Sequence, residues 1–323
     1  LLAAIAALSI VGSAVAEVTL SGGIGMDYGR GNGAAAYQGG ESLGGTLKPN
    51  AGGFENSDAG ATNLAFKSVE DLGGGLKLTA YIQQRFASNT GASGNSGIAG
   101  TTSLKNAAGT AADVYPSPPR GAQNVYLNLA GSFGSVSVGR LLMANQGDAF
   151  AQYGNSVEFG DIDATGQRHD NTVAYYSPTY MGVSATVSST VNSGATAEQQ
   201  YVQIKYANGP FAASYAQDKN QQNDATRLTY RTVAGSYDMK TLKLFVTNGE
   251  YGTAAKPKNS TSIGVQVPMG AATVKAMGVT GDTSAYVLGV DYALSKKTGL
   301  FADFANTDGA AVSAFRMGMR TSF

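Results

Sequence analysis

Alternation of apolar and polar residues along most of the chain is the feature that most limits its fold. The first alternating segment starts at Glu17, and its even-numbered positions carry its large apolar side chains, from Val18 to Tyr28. Segments that start near residues 76, 258, 283 and 311 repeat the pattern. Because successive side chains of a strand point to opposite faces, this period indicates β-strands with one apolar and one polar face. A soluble sandwich and a membrane barrel both explain it.

The lengths of the connections favour the barrel. Sixteen strand candidates fit the chain, starting near residues 17, 60, 76, 122, 135, 171, 182, 199, 210, 226, 240, 258, 271, 283, 298 and 311. Short connections such as Asp71–Gly75 and Gly131–Gly134 alternate with long ones, which include 29–59, 87–121 and 141–170. Short turns at one rim and long loops at the other are typical of outer-membrane barrels, and an even strand number places both chain ends at the short-turn rim.

Aromatic residues cluster at or beside the short connections. They are Tyr176, Tyr180, Tyr206, Phe211, Tyr237, Tyr292 and Phe323. Such a distribution predicts a girdle at a membrane interface, formed by Tyr and Phe because the chain has no Trp. The last residue, Phe323, ends an alternating segment and looks like the assembly signal of bacterial barrels.

Composition narrows the function classes. The chain has 44 Gly among 323 residues, and only 14% of its residues are charged, which is unlike a helix-rich soluble protein. A net charge of zero gives no reason to expect a nucleic acid as a partner. The chain contains no Cys, so disulfides, thiolate nucleophiles and zinc–cysteine sites are excluded, and no motif for a cofactor or metal is present.

The first sixteen residues, LLAAIAALSIVGSAVA, have the composition of a signal peptide. They are apolar and end in Ala14-Val15-Ala16, the pattern of a signal-peptidase site. The other interpretation is a membrane-anchoring helix, although a span needs about 20 residues. We therefore expect residues 1–16 to be a partial signal peptide, cleaved on export, and residues 17–323 to form the barrel.

Several segments resemble the general porins of Gram-negative bacteria, especially the Neisseria and β-proteobacterial type. They are EVTLSGGI (17–24), LAFKSVEDLGGGLK (64–77), GSFGSVSVGR (131–140), NTVAYYSP (171–178), DYALSKKTGLFADF (291–304) and RTSF (320–323). This resemblance implies an all-β fold, a 16-stranded antiparallel transmembrane β-barrel whose third external loop folds into the pore. It implies a homotrimer in the outer membrane, with its lipid and lipopolysaccharide and the barrel-assembly machinery as partners.

The function implied is a general-diffusion porin, a water-filled channel for ions and small hydrophilic solutes. A substrate-specific channel is the alternative within the same fold, and a non-conducting surface protein or adhesin is the alternative from another class. An enzyme is not expected, because the single histidine, His169, has no nucleophile motif beside it, and we expect it to be a polar loop residue.

The resemblance places the pore constriction in the segment 141–170. This segment contains Val157-Glu158-Phe159-Gly160-Asp161, where enteric porins have a similar P-E-F-G-G stretch. Arg168 falls where those porins carry a basic residue facing the acidic loop. Arg140 matches a family position near the subunit interface, and its parity with Val136 and Val138 also points it away from the lumen.

The basic wall expected opposite the loop is depleted. Gly23 and Asn63 stand where enteric porins have Lys and Arg, and Gln123 replaces another Arg, although alternation groups Gln123 with the lipid-facing Val125. Lumen-facing parity is shared by several other basic residues. They are Lys67, Lys77, Arg85, Arg316 and Arg320. Arg231 has lipid-facing parity, unless a bulge shifts the register.

These positions lead to a hypothesis for the constriction. Four acidic residues of the inward loop, Asp148, Glu158, Asp161 and Asp163, face basic residues of the wall across the lumen. The opposing bases are Arg85, Arg168 and Arg316. Because three bases of the family's wall are missing, the sequence predicts a weak preference for cations.

Overall fold

The computed structural model describes most of the chain as β-strands and short turns. The described residues are 16–32, 52–56, 62–86, 88, 103–105, 111–114, 123–143, 167–191, 199–220, 228–253, 256–282, 284–307 and 312–323. Within these ranges no helix has the length and apolar character needed to cross a membrane. The expected signal peptide lies almost entirely outside the described residues.

The described residues form nineteen strands. Their bounds are β1 Glu17–Asn32, β2 Gly52–Asn56, β3 Asn63–Gly73, β4 Leu76–Arg85, β5 Ser103–Lys105, β6 Ala111–Val114, β7 Asn124–Gly131, β8 Gly134–Met143, β9 Gln167–Tyr176, β10 Val183–Thr190, β11 Gln199–Asn208, β12 Phe211–Asn220, β13 Leu228–Asp238, β14 Lys243–Thr253, β15 Lys256–Met269, β16 Ala272–Gly281, β17 Ala285–Ala293, β18 Thr298–Thr307 and β19 Val312–Ser322.

Sixteen of these strands close into one antiparallel ring. Neighbours in sequence pair throughout β7–β19, β3 pairs with β4, and β4 pairs with β7. The ring closes because β1 pairs with β3 on one side and with β19 on the other. The short β2 also pairs with β1, and β5 and β6 form a separate hairpin. The predicted 16-stranded barrel is therefore confirmed, and a closed ring leaves no unpaired edge.

The two faces of the ring differ as the alternation predicts. Large apolar side chains are exposed on the outer face, for example Val18, Leu20, Ile24 and Met26 of β1. The inner face of the same strand carries Asp27, which is buried. An apolar exterior and a polar interior suit a barrel surrounded by lipid and filled with water.

Short turns lie at one rim, at the places predicted. The turn between β3 and β4 uses Gly73, Gly74 and Gly75, all with positive φ, a conformation that glycine adopts without strain. The strands extend further at the opposite rim than the sequence predicts. Pairing continues to Asn32 in β1 and to Met143 in β8, and β9 already begins at Gln167, so the expected loops 29–59 and 141–170 are shorter at these ends. The expected loop 87–121 contains β5 and β6.

The expected aromatic girdle is present with one correction. Tyr180, Tyr206, Phe211, Tyr292 and Phe323 are exposed, and Tyr237 packs edge-on against Phe211 with 4.5 Å between the ring centroids. Tyr176 is different, because it pairs with Ser135 on the inner face. There it packs against a cluster inside the ring that consists of Leu141, Met143, Ala174, Tyr201 and Ala216.

A bulge between β8 and β9 explains why alternation fails locally. The pairing passes from Gly139 and Thr172 to Leu141 and His169, so β9 has one residue more than β8 at this point. Asn171, at φ 50°, lies within the extra step. The extra residue shifts the parity of β9, so that His169 on one side of the bulge and Thr172 on the other are both buried on the inner face. A strand-parity argument across residues 169–172 is therefore off by one, and this affects the wall next to the predicted constriction.

Candidate functional site

Two arginines of the predicted constriction meet at one glutamine. With its carboxamide oxygen turned towards the guanidinium groups, Gln123 accepts hydrogen bonds from Arg85 Nη1 at 3.0 Å and from Arg168 Nη2 at 2.5 Å. The backbone N–H of Gln123 donates to the Gln83 carbonyl at 2.6 Å, and Gln123 is only 4% exposed. The amide oxygen of Gln123 thus holds the two positively charged guanidinium groups near each other. Neither an arginine nor a glutamine in the sequence indicates this contact by itself.

The orientation of Gln123 follows from its position. It precedes β7, which begins at Asn124, so the alternation of that strand does not extend to it. Gln123 contacts Arg85, which lies opposite the inner-face residue Asn63. The carboxamide is therefore on the wall of the lumen, where the resemblance to the porins placed it. Arg168 lies opposite Leu142, whose side chain is exposed on the outer face, so its guanidinium reaches Gln123 from the edge of the wall.

The inner wall beside this arginine pair is polar and aromatic. Lys67 lies opposite Tyr81, and Tyr81 stacks on Tyr126 with 5.1 Å between the ring centroids. The Asn124 amide donates to Gln83 Oε1 at 2.6 Å. Lys67 is exposed, and its register places it on the inner face, as predicted. This sector presents hydrogen-bonding groups and basic side chains to the lumen.

Arg316 occupies a different setting from the one expected. It is on the inner face but is fully buried, with Nε 3.5 Å from Asp27 Oδ2 and Nη2 3.3 Å from Asp303 Oδ2. The guanidinium also lies over the Phe301 ring, 5.5 Å from its centroid. A buried arginine held between two carboxylates contributes to the wall of the barrel and presents no surface to a passing solute.

Glycines on the neighbouring strands explain how the side chains of Arg316, Asp27 and Asp303 lie flat against the wall. Asp27 is opposite Gly318, and Arg316 is opposite Gly29. Asp303 is opposite Gly289, where an added Cβ would meet its carboxylate. A residue without a side chain leaves room for its cross-strand neighbour to fold down over it. The sequence shows each of these residues, but only the register shows that they are opposite one another.

A second charged group lies nearer the short-turn rim, on β16, β17 and β19. Lys275 and Asp291 form an ion pair, with the lysine 3% exposed on its side chain. Arg320 Nη2 lies 3.8 Å from Asp291 Oδ2 and is 38% exposed. Arg320 therefore has the lumen-facing position that its parity predicted, in contact with both a carboxylate and the solvent.

The single histidine is neither in a loop nor exposed. His169 lies in β9 and its Nε2 is 3.0 Å from Asp218 Oδ2, and both side chains are fully buried. The pair is embedded near Tyr201, which lies opposite Asp218. Our expectation of a polar loop residue was wrong because β9 begins four residues earlier than the alternation suggested. No described group of three or more His, Cys, Asp or Glu has an arrangement suited to a metal.

Two ion pairs lie on the outer face near the long-connection rim. Arg140 pairs with Asp170, and its Nε donates to the Gln123 carbonyl at 3.1 Å. Arg231 lies opposite Glu250 with 3.3 Å between Nη1 and Oε2, and no register shift intervenes. Arg231 therefore does face outward, beside a carboxylate that compensates its charge.

The acidic half of the predicted constriction lies outside the described residues. This applies to Asp148, Glu158, Phe159, Gly160, Asp161 and Asp163, and to the inward fold of their segment. Sequence reasoning missed the carboxylates Asp27, Asp218 and Asp303. Alternation already places Asp27 on the polar face, and an inward-facing Asp in a closing strand was the signal available for it.

Comparison with solved structures agrees with the ring described above. An anion-selective porin from Comamonas acidovorans superposes with a TM-score of 0.74 at 20% identity, covering 96% of this chain and all of that chain. A loop-deletion mutant of OmpT, an outer membrane protein of Vibrio cholerae, gives a TM-score of 0.67 at 13% identity, covering 95% and 99%. At these identities the likeness shows the fold alone.

Sequence comparison shows the family. The major outer membrane protein P.IB of Neisseria lactamica is 27% identical over 227 residues, which cover 67% of this chain and 58% of that protein. The Neisseria gonorrhoeae protein of the same name is 28% identical over 214 residues, covering 63% and 52%. The matched regions thus span a little over half of these relatives. The sequence model of the Gram-negative porins matches residues 2–311, and the chain belongs to that family.

Proposed function

We propose that the chain forms a general-diffusion porin of the outer membrane, a water-filled channel for ions and small hydrophilic solutes. The observation that carries this proposal is the closed ring of sixteen strands with a polar, charged inner face. A ring of this size is wide enough to enclose an aqueous channel. The outer-membrane location and assembly as a homotrimer are the arrangement expected for the family, with Arg140 near the subunit interface.

The inner face favours general diffusion over a substrate-specific channel. Its described side chains include a stacked tyrosine pair, amides, hydroxyls and charges of both signs, in different sectors of the ring. A specific channel needs one kind of group repeated along the path of one solute. This mixture of groups instead suits many different small polar solutes, each of which makes only weak contacts with the wall.

Solute uptake distinguishes the alternatives. In liposomes that contain the refolded protein, we expect sugar-driven swelling rates to fall smoothly with solute size, without regard to stereochemistry. One sugar that enters faster than smaller ones would indicate a substrate-specific channel. Liposomes that do not swell, although the protein is folded and inserted, would favour a non-conducting surface protein.

For the constriction, we propose that acids of the segment 144–166 face the sector that contains Arg85, Lys67 and Asn63. The support is the shared contact of Arg85 and Arg168 at Gln123, next to Asn63 on the neighbouring strand. The acids assigned to this role are Asp148, Glu158, Asp161 and Asp163, with Phe159 and Gly160 between them. Arg316 has no place in this proposal, because its charge is buried between two carboxylates.

The preferred ion depends on which charges reach the water. Arg316 is buried between Asp27 and Asp303, so this group adds little to the field in the lumen, and one of the three bases expected opposite the acidic loop is removed. Lys67 and Arg85 remain as exposed or half-exposed bases of the inner face. Rings of charge select the ion of opposite sign. Because four acids are assigned to the loop, we propose a weak preference for cations, as the sequence predicts.

Reversal potentials in a KCl gradient test this proposal. We expect the potential to have the sign of potassium preference, and Lys67→Gln, which removes an exposed base, to shift it further in that direction. Lys240→Gln changes a lysine in a short turn outside this sector and is the matched control. A potential with the sign of chloride preference would contradict the proposal and would mean that the bases of the wall dominate the field.

A further inference from the structure

A cavity of about 700 Å³ opens at the short-turn rim and shares only Asn63 with the constriction discussed above. It is bounded by the turn 294–297 and by inner-face residues of the strands that close the ring. Among the inner-face residues, Gly23 is opposite both Asn63 and Ser322. The missing side chain at Gly23 leaves part of this space open. The volume lies within the range of small-molecule sites.

Basic side chains outnumber acidic ones in the lining. Lys296 and Lys297 come from the exposed turn, and Arg320 comes from the inner face of β19. One carboxylate lines the cavity, that of Asp291, and it contacts both the buried Lys275 and Arg320. Lys275 therefore offsets the charge of Asp291, and the three lining bases leave a positive excess.

The remaining polar groups are hydroxyls and amides. Ser21, Asn63 and Thr273 line the cavity from the inner face, and Ser295 and Thr298 line it near the turn. Cationic side chains from the turn and from β19, together with hydroxyl donors in the same lining, suit an anion that carries more than one charged oxygen group. A monovalent halide would engage only some of these groups.

We propose that this cavity is a binding site for small multiply charged anions, such as phosphorylated or polycarboxylate solutes, at the short-turn mouth of the pore. The inference rests on the proposed channel function for its transport role, but the binding itself does not. The cavity reaches Asn63, whose backbone pairs with Arg85. Bases thus follow one another from the predicted constriction to this mouth, and the site holds an anion where it enters or leaves the lumen.

Titration calorimetry of the full, folded chain in detergent measures the binding, with pyrophosphate as the probe. We expect one saturable site per chain, and K296Q/K297Q is expected to weaken binding roughly tenfold, because each lysine contributes modestly at a hydrated site. Lys240→Gln, in a different exposed turn, should leave the affinity unchanged. Absent saturation, or equal affinities of the double variant and the wild type, would overturn the proposal.

Sided addition to a planar bilayer separates this inference from the channel function. Pyrophosphate on the short-turn side is expected to reduce the conductance at lower concentrations than on the other side, and K296Q/K297Q is expected to abolish the difference. Equal block from both sides would contradict a site at this mouth. A protein that binds pyrophosphate in calorimetry but conducts no current would refute the channel function and leave the binding site standing.

Discussion

Arg316→Leu is expected to lower the free energy of unfolding of the barrel by about 3–5 kcal/mol, the usual effect of removing one partner from a buried charge network. The arginine forms ion pairs with both Asp27 and Asp303, and these two residues are 2% and 1% exposed. Without it, two buried carboxylates repel each other at the strands that close the ring. Urea unfolding of the refolded protein in detergent, followed by far-ultraviolet circular dichroism because the chain has no Trp, measures the loss.

Two further variants separate burial of charge from loss of packing. Arg320→Leu removes an arginine of the same strand that is 38% exposed on its side chain, and its expected cost is under about 1 kcal/mol. The triple variant Asp27→Asn/Asp303→Asn/Arg316→Leu removes the charges together and should recover most of the stability. Equal losses for Arg316→Leu and Arg320→Leu would show that the buried network does not stabilise the closure.

Gly22→Val is expected to reduce the refolded fraction severely, because it obstructs the seam between β1 and β19. A Cβ at Gly22 would lie 2.5 Å from the Asn63 carbonyl oxygen and 2.8 Å from Cζ of the Phe323 ring. The backbones of Gly22 and Phe323 exchange two hydrogen bonds, of 3.3 and 3.1 Å, at this point. Overpacking of this kind costs about 1–3 kcal/mol or more, and a clash with a backbone oxygen has no side chain that yields.

Gly278→Val is the matched control, since a Cβ there meets nothing within 4 Å and the residue faces outward. The folded fraction is read from the band that migrates as compact barrel on unheated detergent gels. Phe323→Ala in the Gly22→Val background should recover only part of the yield, because the Asn63 carbonyl remains. If Gly22→Val and Gly278→Val refold equally, the close approach of Phe323 to Gly22 has no role in closure.

Alternation and connection length were sufficient to predict the ring, because both follow from local geometry. Strand parity placed Asp27, Lys67, Arg85 and Arg316 on the inner face. Parity was not sufficient where the chain leaves ideal geometry. The bulge in β9 at residues 170–171 and the early start of that strand placed His169 inside, against expectation. Tyr176 is inside because it lies opposite the inner-face residue Ser135.

The burial of Arg316 was not predictable from one strand at a time. Its environment depends on Asp27, Asp303 and Gly29, which are distant in sequence and come together only through register. The same is true of Gln123, whose contacts join β4, β8 and the start of β9. Parity assigns a side chain to a face, but cross-strand partners determine whether its charge reaches the lumen.

Single-channel recording of the refolded protein in a planar bilayer tests the central claim most directly. The proposed homotrimeric porin predicts conductance that appears in groups of three equal steps, with current linear in voltage at low voltage. A folded, inserted barrel that carries no current would contradict the diffusion channel, whereas steps of one size that never occur in threes would contradict the trimer.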